Sequence, residues 1–204
     1  MSKRPLRITM SRQSLSLLGI PYEFIDTTLN DFDTCKSKAL KEVKSFCENY
    51  ISDIDTMKDK VKGILFFGSN GVGKSMLTCI ILKEAYRHRY SCRRITFSNY
   101  IRMYTKEEWN KIEDDLSYLS FRDSEFLALE EIGKEIDSKI ATPILEELLR
   151  YRYEHGLVTI ICTNLDTQSI AERYGESVFS LIKGCMTPIK IVNDDMRLKV
   201  FNSK

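Results

Sequence analysis

Apolar positions along the chain alternate between short unbroken runs and longer stretches with helical spacing. Gly63-Ile64-Leu65-Phe66-Phe67 is a continuous apolar run, as expected of a strand buried on both faces of a parallel sheet. Arg94-Ile95-Thr96-Phe97, Phe126-Leu127-Ala128-Leu129, Val158-Thr159-Ile160-Ile161-Cys162 and residues 187–192 predict four more strands. Between these runs the period changes. From Asp33 onward, Leu40, Val43, Cys47, Tyr50 and Ile51 recur at helical spacing and predict an amphipathic helix covering one face of the sheet. Met76, Leu77, Ile80, Ile81 and Leu82 predict a helix directly behind the first strand, and Tyr100, Ile101, Tyr104, Trp109, Ile112, Leu116 and Leu119 mark further helix faces. Thr142-Pro143 predicts a helix start, with Thr as N-cap and Pro at the first helical position, and Gly156 a stop. Two short helices follow at 167–174 and 176–183. Strands alternating with helices define an α/β domain, a parallel sheet flanked by helices.

Ahead of this body, residues 1–30 read as an N-terminal arm. They carry Arg4, Arg7 and Arg12, then Leu18-Gly19-Ile20 before Pro21, an extended or turn segment. Residues 31–204 form the single domain. The length of 204 residues, 43% hydrophobic and 29% charged, suits one such domain, and 9 Gly with 4 Pro leave little room for linkers. A net charge of +2 sets up no general field for nucleic acid, so any such contact needs a local patch. Lys83, Arg87, His88, Arg89, Arg93 and Arg94, interleaved with Tyr86 and Tyr90, are the candidate; basic residues at a helix C-terminus also suit the helix dipole alone. The six cysteines are dispersed without a C-x-x-C pair, and two histidines complete a poor zinc-ligand set, so buried reduced thiols are expected. No run approaches the roughly 18 apolar residues needed to cross a bilayer. The expectation is a cytoplasmic protein with no membrane partner.

The chemistry concentrates at strand ends. Gly68-Ser69-Asn70-Gly71-Val72-Gly73-Lys74-Ser75 fits G-x-x-x-x-G-K-S between a strand and a helix, the context of a P-loop NTPase. Glycine backbone N–H groups close around phosphates, the helix N-terminus adds partial positive charge, Lys74 reaches the terminal phosphates and Ser75 ligates Mg2+. The expected ATP contacts are Gly68, Asn70, Gly71, Val72, Gly73, Lys74, Ser75 and Met76. Phosphoryl transfer also needs one acid at the metal and another for the attacking water. Glu130 and Glu131 close the third strand and fit these roles, although Glu130 stands where Asp is usual and is one methylene longer. Asn164 closes the fourth strand, at the same sheet edge.

In this order the features resemble the DnaC/DnaI-type bacterial and phage helicase loaders and their IstB-like relatives in transposition. Leu18-Gly19-Ile20-Pro21, Leu29-Asn30-Asp31-Phe32, the phosphate loop, the acid pair, Ile161-Cys162-Thr163-Asn164-Leu165 and Arg173-Tyr174-Gly175-Glu176 through Ser180 carry the likeness. The resemblance implies a P-loop NTPase of AAA+ type with little or no C-terminal lid. Its cofactors would be ATP and Mg2+, and its partners single-stranded DNA, a hexameric replicative helicase and further copies in an ATP-dependent assembly. It implies that Asn164 is a sensor, that Glu131 and Lys74 act in catalysis, and that Arg197 is a second sensor contacting nucleotide. An IstB-like regulator of transposition on duplex DNA is the alternative, and an ATP-binding module without hydrolysis a third. Family members usually carry an arginine after the position of Ser180, where this chain has Leu181. Slow hydrolysis is therefore expected unless Arg150, Arg152 or Arg173 substitutes.

Overall fold

The computed structural model describes residues 10–34, 37–110, 117–136 and 138–192. Its centre is a five-stranded sheet of β1 (Gly63–Phe67), β2 (Cys92–Thr96), β3 (Phe126–Ile132), β4 (Val158–Thr163) and β5 (Met186–Lys190) in the order β2-β3-β4-β1-β5. Every pairing is parallel. β1, β3 and β4 coincide closely with the apolar runs because a strand covered on both faces buries nearly every side chain, and β4 is buried throughout; β2, half-buried at Arg93, Arg94 and Thr96, starts two residues before the expected run and stops at Thr96, where Phe97 opens a helix. β1 sits where the chain crosses from one half of the sheet to the other. Ligands bind at such a reversal, outside the carboxyl ends of the strands.

Helices cover both faces and divide the core in two. On one face lie α2 (Lys38–Ser52), α3 (Ile54–Asp59) and α4 (Lys74–Arg87); on the other, α5 (Phe97–Asn110), α7 (Ser138–Glu154) and α8 (Thr167–Cys185), with α6 (Ser117–Arg122) leading into β3. α4 lies between the sheet and α2, so even Thr78, Lys83 and Glu84 on it are buried. The amino-terminal segment is folded onto this same face. It forms α1 (Arg12–Leu17) and two single 3-10 turns, Tyr22–Phe24 and Leu29–Asp31, and Leu15, Leu18, Ile20 and Phe32 are each at most 4% exposed in the α4-side core. We call residues 18–32 the strap.

α7 begins at Ser138, ahead of the expected start at Thr142-Pro143, and Pro143 lies inside it. Burial explains the difference: Ala141, Leu145, Leu148 and Arg152 recur on one buried face, so packing extends the helix through the turn before Pro143. α8 is two helices in one span, because Gly175 is non-helical at φ 82°. Asp166 caps it by accepting from the Ser169 amide. Cys47, Cys79, Cys92, Cys162 and Cys185 are buried free thiols; burial pushes Cys47 and Cys79 up to about 12. Cys35, Ile112, Leu116 and Arg197 lie outside the described residues. Among those described, no helix is long and apolar enough to cross a membrane. Among the described residues, β5 is an edge strand. The Ile191 N–H bonds inward to the Phe67 carbonyl, so by alternation Pro188 turns its missing N–H outward.

Candidate functional site

The phosphate loop leaves β1 and turns directly into α4. Val72 is fully buried beneath it and anchors the loop from inside, while Gly73 caps the helix at φ 99°. A Cβ on Gly73 would stand 2.8 Å from the Phe32 ring, so strap and loop meet where only glycine fits. The Lys74 ammonium donates to the carbonyls of Gly68 (2.7 Å) and Ser69 (2.6 Å) and to Asn164 Oδ1 (2.8 Å). Asn164 Nδ2 in turn donates to Asn70 Oδ1 at 2.9 Å. Lys74, Asn70 and Asn164 thus converge over one point, although Asn164 is 90 residues from Lys74 in the chain.

Two adjacent residues of a strand normally point to opposite faces. Glu130 and Glu131 nevertheless line the same cleft, because the β3–β4 register breaks between Leu129 and Ile132 and Glu131 takes φ 62°. Glu130 is 2% exposed; its Oε2 accepts from Ser75 Oγ at 2.7 Å and its Oε1 from Arg94 Nε at 3.2 Å. Glu131 is exposed and receives the Lys134 ammonium at 2.7 Å. Thr163 fixes the two strand ends: its hydroxyl donates to the Ile132 carbonyl at 2.6 Å and accepts from the Leu165 amide at 3.0 Å.

These side chains line a cleft of about 290 Å³ that also includes Gly71, Gly73, Met76, Cys162 and Thr163. Burial pushes the Cys162 thiol far up, which removes it as a nucleophile. Of the loop and strand-end residues expected from the sequence, Asn70, Gly71, Gly73, Lys74, Ser75, Met76, Glu130, Glu131 and Asn164 line this cleft, and Gly68 and Val72 do not. The strap supplies two lining residues that sequence spacing does not indicate, Glu23 and Phe24. Lys134 also lines the cleft; its spacing from Glu131 across Gly133 is the one signal in the sequence that places it there.

The basic cluster is dispersed among partners within the chain. Lys83, 4% exposed, donates to the carbonyls of Phe24 (2.7 Å) and Ile25 (3.1 Å) and also to that of Thr27, clamping the strap to α4. Arg87 pairs with Glu84, His88 with Asp55, and the Tyr90 hydroxyl donates to Asp55. Arg94 belongs to the acid pair. The candidate arginines also have partners within the chain, to differing degrees. Arg152 is wholly buried and donates to Thr159 Oγ1 and to the carbonyls of Phe121, Arg122, Ser124 and Val158. Arg173 holds Glu135, Arg150 pairs with Glu146, and Leu181 packs half-buried against the second core.

The model of the ATPase family associated with various cellular activities (AAA) matches residues 64–176, more than half of the chain. The crystal structure of the DnaC helicase loader superposes with a TM-score of 0.71 at 22% identity, covering 84% of this chain and 100% of that one. DnaI superposes at 0.72 and 22% identity, covering 87% and 98%. The replication initiator DnaA, bound to AMPPCP and single-stranded DNA, superposes at 0.69 and 12% identity, covering 90% of this chain and 55% of its own. These likenesses are of fold. No curated protein sequence matches the chain.

Proposed function

The chain belongs to the AAA family of ATPases, and from that premise we propose that it is a helicase loader: it binds ATP and single-stranded DNA and delivers a hexameric replicative helicase. One observation carries the reading. The segments that narrow the sequence resemblance to loaders, Leu18–Pro21 and Glu172–Ser180, each hold residues next to the cleft: the Gly19 carbonyl accepts from Arg94, which donates to Glu130, and Arg173 holds the loop after β3 through Glu135. The fold likeness to DnaC and DnaI over nearly their full chains supports it further.

In this reading the loop N–H groups and Lys74 hold the β- and γ-phosphates, and Asn164 contacts the γ-phosphate or the attacking water. Ser75 and Glu130 are two oxygen donors 2.7 Å apart beside the loop, a hard donor set that fits Mg2+. When bound, the ion supplies charge neutralisation across the phosphates. Glu131 orients a water and takes its proton as the water oxygen bonds to the γ-phosphorus and the bond to the β–γ bridging oxygen breaks. Hydrolysis by the isolated chain is slow, because Leu181 occupies the arginine position and Arg152 is committed inside its own protomer. ATP then serves chiefly to drive assembly with further copies and with the helicase.

Affinity capture from the native cell extract with ATP, comparing wild type with Lys74→Ala, tests this. ATP-dependent recovery of the replicative helicase, lost in the variant, is the expected result; recovery of a transposase instead would replace the loader by an IstB-like regulator.

A further inference from the structure

Arg94 touches both the strap and the acid pair. It stands on β2 opposite Ala128, two positions before the pairing of Thr96 with Glu130. Its Nε donates to Glu130 Oε1 (3.2 Å), its NH1 to the Gly19 carbonyl (3.3 Å), and its backbone amide to the Leu18 carbonyl (2.9 Å). The contacts are sheltered: the side chains of Arg94 and Glu130 are 16% and 3% exposed.

The geometry divides the Glu130 carboxylate between two tasks. Arg94 takes Oε1, which leaves Oε2 aimed at the Ser75 hydroxyl. Glutamate has one more torsion than the usual aspartate, so its carboxylate needs a second fixed partner to stay in that orientation. A buried carboxylate left with a single hydroxyl would also lack charge compensation. The guanidinium is itself held by the strap. Gly19 lies at φ 83°, and a Cβ there would stand 2.5 Å from the Arg94 carbonyl, so the strap reaches NH1 only because this residue is glycine.

We propose that Arg94 is a positioning residue that couples docking of the strap to the ability of Ser75 and Glu130 to hold magnesium. The proposal rests on the reading of those two residues as the magnesium position. A strap pulled away at Gly19 would release Arg94, and with it Glu130, and weaken metal-dependent nucleotide binding.

The test is binding of a fluorescent ATP analogue to the full chain, titrated with Mg2+ and repeated in EDTA. Arg94→Met is expected to raise the half-saturating magnesium concentration about tenfold, the usual scale for losing a partner that orients a metal ligand, with affinity in EDTA unchanged. Arg94→Lys should recover most of the loss. Gly19→Ala, which keeps the arginine but displaces the strap, should shift the magnesium requirement in the same direction, and it carries the test if Arg94→Met does not fold. A folded Arg94→Met with a wild-type or lower requirement would mean that the guanidinium merely neutralises a buried acid or competes with the ion, and overturns the proposal. A Gly19→Ala protein with an unchanged requirement overturns it too. Wild-type binding that ignores magnesium would instead remove the metal reading itself, and this inference with it.

Discussion

Glu131 holds a left-handed backbone conformation, φ 62°, that costs a side-chain-bearing residue about 1–2 kcal/mol. The strain is what turns its carboxylate into the cleft beside Glu130. Two substitutions separate the effects. Glu131→Gln should abolish most hydrolysis, about 10²–10⁴-fold for loss of a general base, while leaving ATP affinity near wild type by fluorescence titration. Glu131→Gly should lose hydrolysis equally and gain about 1 kcal/mol of stability in urea denaturation, since glycine adopts this conformation freely and the exposed ion pair with Lys134 contributes little. A Glu131→Gly protein no more stable than wild type would show that the bulge carries no strain. Arg152 presents the opposite case, a buried charge satisfied by one hydroxyl and four carbonyls. Arg152→Met strands those carbonyls and should cost about 3–5 kcal/mol, with nucleotide affinity of the folded fraction unchanged.

Between elements, Glu135 joins the loop after β3 to α8. Burial pushes its carboxyl up, but hydrogen bonds from Tyr174, its own amide, Arg173 and the Gly133 amide outweigh this and hold it below the ordinary value. The folded value lies under the unfolded one, so the stabilisation is complete above the unfolded carboxyl value and disappears as pH falls through the folded one. The melting temperature of wild type should therefore exceed that of Glu135→Gln at neutral pH, and the gap should close below about pH 4.5. A constant gap would assign the effect to shape alone. The same region shows what a sequence can and cannot disclose. β1, β3 and β4 are legible because buried parallel strands are unbroken apolar runs, and the loop and acid pair because their residues are contiguous. The start of α7 is not, since burial of Ala141 overrides the signal of Pro143. Nor is the contact of Gly19, Arg94 and Glu130, which joins positions 36 and 75 residues apart that only the folded strap and β2–β3 pairing bring together.

For the molecule as a whole, Leu181 stands where the resemblance to loaders implies an arginine, and Arg150, Arg152 and Arg173 each have partners within the chain. Purified protein should accordingly release phosphate slowly, by the roughly 10³–10⁵-fold that an arginine finger contributes, with turnover rising when single-stranded DNA and helicase are added. Brisk turnover by the protein alone would restore Arg150 or Arg173 as a finger. Any association of copies is also limited by the margin of the sheet. An open strand edge invites a second chain to add its own strand, the first step toward fibrils. Pro188 on β5 presents a ring there in place of a donor. A copy arriving at that margin finds a gap in the ladder, so copies are steered away from endless edge-to-edge stacking. Pro188→Val would restore the donor, and turbidity on heating should then appear earlier than in wild type.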